Sequence, residues 1–456
     1  MPFQTINPAN GELVKEFPTW TESELDRVLS EVDTASAAWA ETPVEKRCEL
    51  LRNTAQLLRG NVEEYAAIMT LEMGKLLREG RAEIEKCAQV CDYYADHAAE
   101  YLADKIVETD ASRSLIAYLP LGTVLAVMPW NFPFWQVMRF AVGALAGGNA
   151  VVLKHASNVP QAALAVEEIF RKAGLPEGVF RTLMIGASQV KSVIEDDRIC
   201  GVTLTGSEPA GRAVAQAAAG VIKKSVLELG GSDAFIVLDD CDMEHTVQQA
   251  VIARYQNCGQ VCIAAKRFIV VDAIADEFVS RFKQAVETLQ PGDPMDEACT
   301  LAPMSREDLR DELHEQVTDS IKAGAVAIIG GEPFDMPGAY YQPTILDKVK
   351  PGMRAWDEEF FGPVALIIRV KDEAEAIAVA NDSRFGLGSS IWTRDTVRGE
   401  AIARQLKTGM SFINNFVKSD PRLGIGGIKA SGYGRELAHL GIHEFINAKT
   451  IWVEDI

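Results

Sequence analysis

Residues 122–231 carry five apolar runs: GTVLAVMPW (122–130), NAVVLKHA (149–156), VFRTLMIG (179–186), GVTLTGS (201–207) and KSVLELGG (224–231). Each run is apolar at successive positions, not alternate ones, and stops at glycine, proline or a small polar residue. That describes strands buried on both faces. Helical segments at 161–172 and 209–219 lie between them. Such β-α alternation folds as a parallel sheet covered by helices on both sides. A second series follows, with DAFIVLD (233–239), RFIVVD (267–272), AVAIIGG (325–331) and PVALIIRV (363–370) as its strands. The fold class is therefore α/β, with two parallel-sheet units and a hinge predicted at Gly230-Gly231.

Outward from this region the sequence is less informative. The first hundred residues read as helices. Thr21–Glu24 and Thr42–Glu45 both fit the capping box, and Pro43 suits a first helical turn. Val44, Cys48, Leu51, Ala55 and Leu58 form one apolar face, and an amphipathic helical region runs from 62 to 104. These helices are expected to cover the sheet and to carry no chemistry. Residues 115–138 hold no charge, but Pro120, Pro129 and Pro133 with Asn131 and Gln136 make a buried strand and turn, not a membrane span.

The 456 residues suffice for about three domain-sized units. A formal net charge of −20 repels phosphate backbones and anionic lipid, which argues against nucleic acid and membrane partners. The N-terminus shows no secretory pattern. The eight cysteines form no C-x-x-C and no zinc spacing, so reduced thiols in the cytoplasm and no metal are expected.

In parallel α/β sheets ligands gather beyond the carboxyl ends of the strands. Here those ends carry Asn131 between two prolines, Lys154 after an apolar run, Gly206-Ser207 ahead of a helix, and Glu228 inside VLELGG. A helix N-terminus suits an anion, and a carboxylate in an apolar strand needs a partner or a function. Cys262 closes Asn257-Cys-Gly-Gln-Val-Cys262, where glycine, amides and a following helical pattern suit a low-pKa nucleophile. Taken singly, each has a plainer account: a packed thiol, a snorkelling lysine, a turn.

Together, and in this order, they resemble the aldehyde dehydrogenase superfamily over essentially the whole chain. The matching motifs are MPWNFP (128–133), LK-x-x-S (153–157), TGS (205–207), LELGG (227–231), N-x-G-Q-x-C (257–262), E-E-x-F-G-P (358–363) and GG-x-K-x-SG-x-G-RE (426–436). The resemblance implies a Rossmann-like dinucleotide fold without G-x-G-x-x-G, which this chain indeed lacks. It also implies a division of the chain: dinucleotide binding over 1–109 and 122–229, catalysis over 230–418, and an oligomerisation arm at 110–121 and 437–456. A homodimer or homotetramer is expected.

By the same resemblance Cys262 is the nucleophile, Asn131 and the Cys262 N–H hold the oxyanion, and Glu228 activates water to hydrolyse the thioester. A nucleophile must add first, because hydride leaves readily only from a tetrahedral carbon that bears an oxyanion. Trp130, Gly206, Ser207 and Leu229 match cofactor contacts, Lys154 a ribose ligand and Glu359 the nicotinamide-ribose ligand. Where NAD-preferring members commonly place glutamate, this chain has Ser157. Loss of that carboxylate removes repulsion of a 2′-phosphate, so NADP is expected over NAD.

On the substrate side, Trp135 and Arg139 share a helix face. With Ser419 they resemble succinate-semialdehyde dehydrogenases, in which Arg139 would meet the substrate carboxylate; the plainer account pairs Arg139 with an acid inside the protein. Gln256 departs from relatives that carry arginine six residues before the nucleophile. Cys258 is expected to be an inert neighbour of Cys262, with a reversible disulfide as the alternative. Transfer of the thioester to coenzyme A, a cysteine-dependent esterase, or a binding protein that retains the fold are the competing accounts; Glu228 argues against the first.

Overall fold

The computed structural model describes residues 2–455. The runs quoted above form a six-stranded sheet in the order Gly432–Tyr433, Lys224–Glu228, Ile199–Thr205, Thr123–Met128, Ala150–His155, Phe180–Thr182. All are parallel except the two-residue edge at Gly432–Tyr433. Parallel pairing brings the carboxyl ends to one side, and the register sets Thr205 opposite Glu228 and Met128 opposite His155. The strand interiors are buried on both faces, for example Val124, Leu125 and Ala126. Helices such as Trp135–Ala146 and Glu208–Gly220 pack against them.

A seven-stranded sheet runs Val326–Ile329, Thr344–Asp347, Val364–Val370, Ala265–Val271, Asp233–Val237, Ser389–Trp392, Phe412–Ile413. Only the exposed edge strand Val326–Ile329 is antiparallel. A third, antiparallel sheet pairs Ile446–Val453 with Arg113–Pro120 and then Lys105–Ile106. It ties together the two stretches read as an arm, and among the described residues Ile446–Val453 keeps one edge unpaired. No helix among the described residues is long and apolar enough to cross a membrane.

The N-terminal third differs from the sequence reading. It opens with a hairpin, Phe3–Ile6 against Leu13–Phe17. The turn signal is Asn10-Gly11, with Gly11 at φ 75°. The Thr21 box forms as expected, with Glu24 N donating to Thr21 Oγ1 at 3.2 Å and Thr21 N to Glu24 Oε2 at 2.7 Å. Thr42 does not cap. Its hydroxyl donates back to Ala38 O, closing the preceding helix, so Val44–Gly60 starts without a side-chain cap. The region 62–104 is two helices, Val62–Met73 and Leu77–Tyr101, broken at Gly74 (φ 78°), where a Cβ would lie 2.7 Å from Pro303. Beyond Cys262 the chain enters the strand Ala265–Val271, not a helix.

Candidate active site

Cys262 sits where two cavities meet. The first, about 300 Å³, follows the carboxyl edge of the six-stranded sheet. Its walls include Trp130, Asn131, Gly206, Ser207, Glu228, Leu229 and Cys262, with Glu359 and Phe361 from the second sheet's side. The second, about 90 Å³, is lined by Trp135, Arg139, Gln256, Cys262, Ser419 and Lys86 among others. A larger surface groove beside Arg27, Trp39 and Arg181 lies away from these groups and holds none of them.

The nucleophile's loop is built by a left-handed run. Asn257, Cys258 and Gly259 have φ of 51°, 53° and 71°. Asparagine tolerates that region and glycine is at home in it. At Gly259 a Cβ would stand 2.2 Å from Gly362 O, so the motif glycine also serves close approach. Cys258 has neither advantage, and holding it there costs about 1–3 kcal/mol. Surrounding bonds hold the run: Asn257 N donates to Glu79 Oε1 at 3.0 Å, Asn257 Nδ2 to Asn131 O at 2.9 Å, and Ser305 N to Gln260 Oε1 at 2.8 Å. Cys258 belongs to the apolar cluster of Leu76, Met304 and Phe360, as suits an inert thiol.

Asn131 is buried, and its Nδ2 donates one N–H to Gln260 O at 3.0 Å. Its second amide N–H and the Cys262 N–H meet no protein acceptor among the described residues. Burial pushes the Cys262 thiol up to about 11, against the pull of Arg139 and Lys266. The low-pKa thiol expected from the sequence is therefore corrected: with no helix N-terminus behind it, desolvation wins. Glu228 is also buried and its Oε1 has no hydrogen-bond partner. Burial raises it to about 8; Arg139 opposes this and Glu436 reinforces it.

Lys266 joins the loop to the second sheet's contribution. Its ammonium donates to Val261 O at 2.7 Å and Cys262 O at 2.5 Å, and pairs with Glu359 at 3.1 Å. Glu359 also accepts from Gly231 N at 3.1 Å. The carboxylate lies over Gly230, where a Cβ would fall 2.1 Å from it, which explains the first glycine of LELGG.

The reading of Arg139 as the substrate's partner is corrected. Its guanidinium is buried in an ion pair with Glu436 and donates to Thr205 Oγ1 at 3.1 Å. A cation this enclosed needs a counter-charge within the protein, and the glutamate of the terminal RE motif supplies it. The helix Leu77–Tyr101, expected only to cover, instead builds the site. Glu79 holds the Asn257 turn, and Glu83 caps the Trp135–Ala146 helix by accepting from Phe134 N at 3.0 Å and Trp135 N at 2.9 Å. Lys86 donates to Ser419 Oγ at 2.6 Å and lies 4.3 Å from the centre of the Trp135 ring.

Lys154 and Ser157 line neither cavity. Lys154 is half-buried at the end of Ala150–His155 with no acidic partner among the described residues, and Ser157 is exposed just beyond it. Both stand at the same carboxyl edge as Trp130 and Ser207. Sequence reasoning missed Gln136, Phe361 and Lys86; only Phe361 fell within a quoted motif.

The chain belongs to the aldehyde dehydrogenase family, whose model matches residues 1–451. Among its relatives, a probable succinate-semialdehyde dehydrogenase, NADP(+), of Synechocystis sp. is 51% identical over 453 residues, spanning 99% of this chain and 100% of the relative. A succinate semialdehyde dehydrogenase, NAD(P)+, of Escherichia coli is 46% identical over 452 residues, spanning 99% and 98%. The crystal structure of succinic semialdehyde dehydrogenase from Streptococcus pyogenes, in complex with NADP+, superposes with a TM-score of 0.98 at 41% identity, covering 99% of this chain and all of that one.

Proposed function

We propose that this enzyme oxidises succinic semialdehyde to succinate with NADP+ as preferred acceptor. The observation that carries this is the placement of Cys262 between a cleft of nucleotide character and a small pocket with a cationic wall. The cleft suits a dinucleotide. Gly206 and Ser207 lie at the N-terminus of Glu208–Gly220, whose first N–H groups favour an anion, and Lys154, two strands away at the same sheet edge, would supply a cation. Trp130, Leu229 and Glu359 would hold the remainder, with the nucleotide belonging to 1–109 and 122–229 and the nucleophile to 230–418. When bound, the nicotinamide supplies the hydride acceptor.

The protein's own groups account for the rest. The thiol must lose its proton before its sulfur adds to the aldehyde carbon, and Glu228 is the buried carboxylate in the cleft without an ion-pair partner. Asn131 and the Cys262 N–H then meet the oxyanion. Asn131→Ala is expected to lower kcat by about 10²- to 10³-fold, with KM for the nucleotide little changed in initial-rate assays. Glu228 later draws a proton from water as it attacks the thioester carbon and releases the acid.

Initial rates at 340 nm test the proposal, using succinic semialdehyde and a small aldehyde panel with NADP+ and NAD+ in turn and no coenzyme A. Rapid reduction favouring the semialdehyde and NADP+ is the expected result. No preference for the semialdehyde would refute the substrate, and equal or better kcat/KM with NAD+ would refute the cofactor. Ser157→Glu would set a carboxylate where, on this reading, the 2′-phosphate would be held. It should cut kcat/KM with NADP+ roughly 100-fold while sparing NAD+. The free edge of Ile446–Val453, with Trp452 and Leu119 exposed nearby, is where copies of the chain would pair. Light scattering reads whether they do.

A further inference from the structure

We propose that Lys86, on the helix Leu77–Tyr101, is the ligand for the substrate's carboxylate and selects short ω-oxo acids over uncharged aldehydes. The inference rests on the proposed function and names the group that recognises that substrate. Of the two less exposed cations in the wall of the 90 Å³ cavity, Arg139 is neutralised by Glu436, whereas Lys86 has no carboxylate within ion-pair distance among the described residues. An ammonium carries three donors, and the protein takes only one, through Ser419. Ser419 accepts that bond, so its own O–H is free to donate. The two donors converge on one carboxylate oxygen or on the pair.

The surroundings sharpen the charge. Phe132, Trp135 and Val417 line the same pocket, and the Trp135 ring holds the ammonium by a cation–π contact. Burial, with Arg139 nearby, lowers the Lys86 ammonium to about 8. A carboxylate would relieve both effects through a charge-assisted bond. The cavity's roughly 90 Å³ leaves room for a chain of few carbons between thiol and carboxylate. The position of Gln256 in the wall leaves no guanidinium from the nucleophile's loop, so the charge comes from a different element. Lys418, also in the wall, is exposed at the rim.

The test uses the full-length enzyme with NADP+, comparing succinic semialdehyde with butanal. Lys86→Met keeps the length of the side chain and removes its charge. It should raise KM for the semialdehyde about tenfold or more, and KM for butanal by much less. Lys86→Arg should recover part of the loss. Equal losses with both aldehydes would mean a structural role and overturn the proposal, as would a selective KM effect in Arg139→Ala but none in Lys86→Met. Succinate as a competitor of butanal oxidation separates this inference from the identity of the natural substrate. Wild type should be inhibited and Lys86→Met at least about tenfold less so, even if the semialdehyde is not preferred. A wild type indifferent to succinate overturns it.

Discussion

Cys262→Ala is expected to abolish aldehyde-dependent reduction of NADP+, with a loss of roughly 10⁴-fold or more in kcat. The thiol is the one nucleophile at the junction of the two cavities. Without it the aldehyde carbon stays trigonal, and there is no oxyanion to expel hydride. Neither Asn131 nor the backbone N–H helps, because both stabilise a charge that no longer forms. Nucleotide binding should survive, since Trp130, Ser207 and Glu359 are untouched, and quenching of tryptophan fluorescence by NADP+ would show it. Retention of more than about a hundredth of wild-type turnover would mean hydride transfer proceeds without covalent addition.

The second large effect belongs to Glu228→Gln. Glutamine keeps the volume of the side chain but cannot accept water's proton, so the thioester accumulates. A burst of about one NADPH per active site, slower than in wild type because the thiol's proton no longer has Glu228 to accept it, should be followed by a steady rate lower by about 10²- to 10⁴-fold. The pH dependence follows from the raised carboxyl. Its neutral form dominates near neutrality, and only the ionised form works as a base. Turnover limited by hydrolysis should therefore climb with pH and level off above about 8, and the climb should vanish in Glu228→Gln. The sign for stability is opposite: the native carboxyl holds a proton that the unfolded chain releases, so its contribution falls as pH rises from 4.5 towards 8. A wild-type profile flat from pH 6 to 9 would assign water activation to another group.

The strands at 123–128, 150–155 and 199–205 were legible because burial on both faces leaves a continuous apolar run, a signal complete within a few residues. Glu228 and Asn131 stood out because each ends such a run within a motif, and Cys262 because it closes a motif of glycine and amides just ahead of the strand Ala265–Val271. The hairpin at 3–17 was obscured because its strands are short and Leu13–Phe17 is largely exposed, leaving Asn10-Gly11 as its only mark. Partners distant in sequence left no mark at all. Arg139 meets Glu436 across 297 positions and Lys86 meets Ser419 across 333. Periodicity places Lys86 on a helix face with Glu79 and Glu83 but cannot say what that face meets.

The two cavities share only Cys262 and Gln136 in their walls. On the proposed assignments, acceptor preference and aldehyde preference would be written in nearly separate alphabets of side chains, with Ser157 outside both cavities. A lineage could then rewrite Ser157 to change coenzyme, or Lys86 and Ser419 to change aldehyde, with neither revision disturbing the other. Diversification within one scaffold then requires few simultaneous changes, and Gln136 is the position at which the two vocabularies would first collide.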